Sequence, residues 1–226
     1  QGPASLGSIS GRTEVTSSGV LELRPTAATI FTTQPPTLSG MGTTNQGALY
    51  NLAAFSNRWT GPITVADYAR IGASTNSTLT LAGGVNGVNG EQDLYLGGVG
   101  PIYVINTGLG SNLRHLTKDN ANTVTLSAAS SWIGCTYLSN GMLRATLTEA
   151  TSASTPFLVS TGGVFNLNNY SQTIGSLQDG NADPANMGGQ VWLGTANLTA
   201  GGNGSNTTWH GVISGTGGVN KKGLGT

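Results

Sequence analysis

Charge is what this sequence lacks most: Asp, Glu, Lys and Arg together make up 8% of 226 residues, and the 9 basic and 9 acidic side chains cancel. Globular proteins carry about 25% of these residues. Helices need charged side chains on their solvated faces, so the deficit argues against a helix-rich fold. It also argues against nucleic acid as a partner, because phosphate binding needs clustered Lys and Arg, and the only adjacent basic pair is Lys221-Lys222. The single cysteine, Cys135, excludes an internal disulfide framework. With only His115 and His210 beside it, no zinc-ligand spacing arises. No apolar run approaches the roughly 18 residues of a membrane-spanning helix, so no membrane insertion is expected of this segment. Gln1 is not an initiator and no signal peptide is visible, so the chain reads as a processed or excised piece.

Short residues are plentiful. Glycine occurs 36 times, Thr, Ser and Asn supply the polarity, and apolar residues reach 37%. That apolar fraction, ordered in alternation, excludes a disordered Gly/Ser linker. Period-two runs such as Thr78-Leu79-Thr80-Leu81, Ile102-Tyr103-Val104-Ile105 and Thr123-Val124-Thr125-Leu126 read as strands. Asn86-Gly87, Asn89-Gly90, Asn140-Gly141, Asp179-Gly180 and Asn203-Gly204 read as the turns between them. Roughly twenty short strands fit in the chain.

The spacing of these runs carries the fold expectation. A glycine followed by two apolar residues, a polar residue and a small or apolar one recurs at Gly19, Gly141 and Gly163, the last two copies 22 residues apart. The Thr-x-Thr-Leu strands beginning at Thr78 and Thr123 lie 45 apart, about two such units. A period near 22 suits one coil of a solenoid. The sequence therefore predicts an all-β fold, a right-handed parallel β-helix (single-stranded β-solenoid), as one continuous segment over 1–226 with less regular coils in 1–60. With coils stacked at about 4.8 Å, ten of them would make a rod on the order of 50 Å long.

Residues 116–145 give the best match to a repeat. Leu116-Thr117-Lys118-Asp119, Thr123-Val124-Thr125-Leu126-Ser127, Ser131-Trp132-Ile133-Gly134-Cys135-Thr136 and Asn140-Gly141-Met142-Leu143-Arg144-Ala145 resemble the autotransporter-associated β-strand repeat, also called the passenger-associated transport repeat. Asn120 and Asn122 stand where that pattern has glycines, and asparagine tolerates the left-handed backbone. Residues 211–226 look like the start of a second copy: Val219–Thr226 aligns with Leu116–Thr123, and another strand is expected to follow. The resemblance implies a β-helical passenger region exported across the outer membrane and located extracellularly or at the cell surface. It implies a stalk, spacer, fibre or adhesin role and no catalytic residues.

Candidate sites are few, and none is expected to be catalytic or to hold a cofactor. The acids are scattered, with Glu91 and Asp93 reading as a solvated pair after a turn rather than as the paired carboxylates of a polysaccharide hydrolase or lyase. Asp179, Asn181 and Asp183 present oxygens at alternate positions, as in a calcium loop, although Pro184 and Gln190 replace the glycine and glutamate such a loop needs. Trp59 and Trp209, each flanked by polar residues, are the candidates for stacking on sugars. Cys135 reads as a buried small hydrophobe. The Thr-x-Thr pairs read as strand propensity rather than as an ice-binding array. The partners expected are further copies of the same coil, through end-to-end stacking or tandem repeats, and cell-surface glycans.

Overall fold

The chain is an all-β solenoid of about nine turns, seen in a computed structural model that describes residues 11, 13–32, 34–52, 54–180 and 188–226. Among the described residues, twenty-one strands, numbered in chain order, and one 3-10 turn at Thr43–Asn45 make up the regular structure. Every strand pairing among the described residues is parallel.

The strands form three sides. On the first lie β1 (Thr13–Val15), β4 (Pro36–Gly40), the start of β7 (Ile63–Ala73) and β9 (Val85–Gly87). Backbone hydrogen bonds link Leu109 to Ser131 and Ser130 to Ala150 on the same side, before β16 (Gln172–Thr173), β19 (Leu198–Ala200) and β21 (Val219–Lys221). The second side stacks β2 (Leu21–Leu23), β5 (Leu49–Asn51), the end of β7, β10 (Gln92–Gly98), β12 (Leu113–Lys118), the starts of β14 (Thr136–Ala145) and β15 (Pro156–Asn166), and β17 (Ser176–Asp179). The third stacks β3 (Ile30–Phe31), β6 (Ser56–Trp59), β8 (Thr78–Leu81), β11 (Ile102–Ile105), β13 (Thr123–Ser127), the ends of β14 and β15, β18 (Gln190–Gly194) and β20 (Val212–Gly215).

The spacings seen in the sequence are coil lengths. Gly141 pairs directly with Gly163, and Leu143 with Phe165. Leu79 pairs with Ile102 and Ile102 with Val124, so the two Thr-x-Thr-Leu strands are two coils apart. The copy after Gly19 departs from this scheme: Leu21–Leu23 lies on the second side, not the third. The motif reports a tight corner leading into a strand, and any corner of the coil can carry one. The early coils are longer, with Leu21 paired to Leu49, 28 positions on.

Alternation aims one set of side chains inward, and parallel stacking lines them into rows. On the third side Leu79, Ile102, Val124, Leu143, Phe165 and Val191 follow one another, all buried. On the second side the row reads Leu49, Ile71, Leu96, Lys118, Leu138 and Val159. Each apolar member contributes about 1.5–3 kcal/mol of transfer free energy when fully buried.

Lys118 interrupts that row with an amine and is itself fully buried. Its Nζ donates to the backbone carbonyls of Asp119 (2.7 Å), Asn120 (2.8 Å) and, one coil on, Asn140 (2.9 Å). Three donors meet three acceptors, so the position is tolerable in a dry core. Burial pulls the lysine down to about 7, Asp119 opposing the shift and Arg70 adding to it. Asn120 holds the corner with a left-handed φ of 58°, as expected. Asn122 instead donates its side-chain amide to the carbonyl of Gly100, one coil back (2.9 Å). Arg70 closes the corner from outside through a bidentate pair with Asp119 (2.5 and 2.7 Å) and a further bond to Asn120. The aligned tail repeats this local geometry: Lys221 Nζ donates to the carbonyls of Lys222 (2.6 Å) and Gly223 (3.4 Å), on the first side rather than the second.

Candidate functional site

The outer surface of the second side gathers most of the chemistry-bearing side chains. In β10 the alternation buries Leu94 and Leu96 and turns Asp93 and Tyr95 outward. Two irregularities in the ladders enrich this patch. Leu38 pairs with Val65 but Gly40 with Ala69, so Ala66, Asp67 and Tyr68 bulge from β7, all exposed. Gln92 pairs with Leu113 but Leu94 with Leu116, so Arg114 and His115 both lie opposite Asp93. Bulges re-aim side chains in this way, and they concentrate near functional sites.

Asp67, Tyr68, Glu91, Asp93, Tyr95 and Arg114 line an open groove of about 280 Å³. Asp93 is held by Arg114 in a bidentate pair, Nε to Oδ1 and Nη2 to Oδ2, both 2.9 Å. This bond and the charge of Asp93 raise the Arg114 pKa further above its usual value. Among the described residues the Glu91 carboxylate makes only a long contact of 3.5 Å with the Asn89 amide. Tyr68 is 43% exposed and is the register partner of Asp93. The patch continues to Tyr137, whose ring meets that of His115 edge-on at 5.6 Å. Burial, followed by a hydrogen bond with Cys135, raises the Tyr137 pKa. The backbone N–H of Cys135 donates to His115 Nδ1 (2.8 Å), so the neutral imidazole carries its proton on Nε2.

The expected site residues fall elsewhere. Trp59 is fully buried in the third-side row and stacks on Phe31, ring centroids 5.9 Å apart. No ring face remains for a sugar, because Asn57 and Trp59 point inward while Arg58 between them points out. Trp209 is half-buried and packs against the core beside Leu177, Leu198 and Ile213, so most of its surface is also committed. Both carboxylate oxygens of Asp179 are engaged by His210, one by the backbone N–H (2.9 Å) and one by ring Nδ1 (2.5 Å). Asn181 and Asp183 lie outside the described residues. Among the described residues no group of three His, Cys, Asp or Glu side chains could hold a metal ion.

Two other sequence readings meet the structure here. Thr80 and Thr125 share a row on the third side, but Thr125 is covered and Tyr103 stands between them, so the threonines form no continuous array. Cys135 is half-buried beside Tyr137 and not part of the core. The order of the acids along the chain does not reveal the groove. Asp67 and Asp93 are brought together by coil stacking, and bulges are not visible in a single sequence. The recurrence of a coil between Tyr68 and Asp93 was the one signal available. Comparison with protein-family models, curated proteins and solved structures found no match.

Proposed function

We propose that this chain is a structural, non-catalytic segment of a secreted or surface-displayed bacterial protein, a stalk or spacer that carries an adhesive side face. The observation that supports this reading is the parallel stacking of strands through about nine turns, eighteen of them joined in one sheet. A filled core of this kind resists bending, and each coil is held by its two neighbours. At about 4.8 Å per turn the stack extends roughly 40 Å. Stacking or tandem repetition of such coils lengthens the rod without new design. Export across an outer membrane agrees with the low charge and the resemblance of residues 116–145 to passenger repeats. Immunogold electron microscopy of intact cells of the source organism, with antibody against this chain, tests the reading. Label on the surface or on filaments is expected, and label found only after permeabilisation would overturn it.

A further inference from the structure

We propose that the bulged groove on the second side binds a neutral oligosaccharide, with Tyr68 as the stacking platform and Asp67 and Glu91 as hydroxyl acceptors. The proposal deepens the adhesive part of the function above and rests on it only in placing the groove outside the cell. The groove is shallow and open at about 280 Å³, a little under the size of enclosed small-molecule pockets and suited to a flat ring lying on the surface. It crosses β7, β10 and β12, three coils at about 4.8 Å each, which leaves room for a short sugar chain laid along the solenoid axis.

Its chemistry selects among ligand classes. An exposed tyrosine offers an apolar face and a polar tip, the combination that suits the C–H face and hydroxyl edge of a pyranose. Among the described residues Asp67 has no hydrogen-bond partner, and the Glu91 carboxylate has only the long Asn89 contact. Free carboxylates accept hydrogen bonds from neighbouring hydroxyls at little desolvation cost on an open surface. Asp93 is already committed to Arg114, so it serves as a fixed wall. Two uncompensated carboxylates repel uronic, sialic or sulfated chains. The Arg114 guanidinium is neutralised by Asp93, so the groove is net negative and a cationic peptide is the rival ligand that the test includes. The carboxylates are not grouped as a metal site. The exposed Tyr68 ring beside hydroxyl-accepting carboxylates favours a neutral, hydroxyl-rich ligand over that rival.

The test is titration of the purified chain with neutral trisaccharides (maltotriose, cellotriose, chitotriose, mannotriose), followed by calorimetry and by NMR of the tyrosine rings. Calcium and oligolysine are titrated as rival ligands. Tyr68→Ala and Glu91→Gln alter exposed side chains, and circular dichroism verifies their folds. Tyr103→Ala, 38% exposed on the third side, is the control. Saturable binding of at least one trisaccharide is expected, weakened tenfold or more by Tyr68→Ala and by Glu91→Gln and unchanged by Tyr103→Ala. No trisaccharide binding up to 10 mM, binding that survives both groove variants, or perturbation of the groove by calcium or oligolysine alone would each overturn the proposal. All three leave the rod reading standing, since that is decided by surface labelling.

Discussion

Replacing Lys118 by methionine isolates the energetics of the one lysine that sits in a core row. Its Nζ is caged by the carbonyls of Asp119, Asn120 and Asn140, and burial lowers its pKa from 10.5 to about 7. In the unfolded chain the same amine stays protonated up to its ordinary value. Between pH 7 and 10.5 the unfolded state therefore binds more protons than the folded one, and stability rises with pH across that window. The cost of burying the charge is fully present below pH 7 and is gone above 10.5. At about 1.36 kcal/mol per decade of proton affinity, and with partial titration near pH 7, the wild type gains about 2–3 kcal/mol between pH 6 and pH 9 from this group. For a chain of this size that is roughly 5–10 °C in melting midpoint. Lys118→Met removes the titration and leaves three carbonyls without a donor, each costing about 1–3 kcal/mol, offset in part by the added apolar contact. The variant is expected to melt lower at both pH values and to lose the rise between them. Thermal melts at pH 6 and pH 9, with the difference between the two proteins taken at each pH, cancel the other titrating groups. Equal pH dependence in both proteins would refute the reasoning.

Three further substitutions test the same account by melting and urea denaturation. Gly141 has φ +72°, and a Cβ there would meet the carbonyl oxygens of Asn120 and Asn122 at 2.4 and 2.5 Å and Lys118 Nζ at 2.7 Å. Gly141→Ala is expected to cost about 1–3 kcal/mol from the backbone alone and more from the displaced cage; an unchanged midpoint would count against the corner as described. Trp59→Ala empties a fully buried site against Phe31, with an expected loss of about 3–5 kcal/mol; a near-neutral result would place Trp59 on the surface. The Arg70–Asp119 and Arg114–Asp93 pairs share one chemistry at arginine exposures of 4% and 47%. Arg70→Met removes a buried guanidinium and leaves Asp119, 28% exposed, without that partner; it is expected to cost about 1.5–3 kcal/mol, whereas Arg114→Met should leave the midpoint unchanged; equal effects would contradict the burial difference.

The architecture was legible in the sequence because a solenoid repeats its physics. Every coil must turn three corners and bury alternate side chains, so Gly141 and Gly163, or Thr78 and Thr123, recur at the coil length and pair as their spacing implies. Side assignment was not legible, since any corner can carry the glycine motif, as the copy at Gly19 shows. Trp59 was misread because its polar neighbours Arg58 and Thr60 suggested a surface, while period-two alternation places every second residue inside. Lys118 was noticed as part of a repeat, but a charged residue in a core row contradicts its local pattern and only the carbonyl cage explains it. The groove was the least legible feature. It depends on two bulges, at Ala66–Tyr68 and at Arg114-His115, which shift which residues become neighbours across coils.

Pulsed electron paramagnetic resonance on spin-labelled pairs tests most directly whether coils of about 22 residues pile up in parallel along one axis. Thr80, Arg144 and Ser214 all belong to the outward row of the third side, three coils separating the first two and three more the last. With Cys135 replaced by alanine, labels at Thr80 and Arg144 should lie about 14 Å apart and labels at Thr80 and Ser214 about 29 Å apart, plus the same linker contribution in each case. A Thr80–Ser214 distance no longer than the Thr80–Arg144 distance would contradict the solenoid and point to a chain folded back on itself.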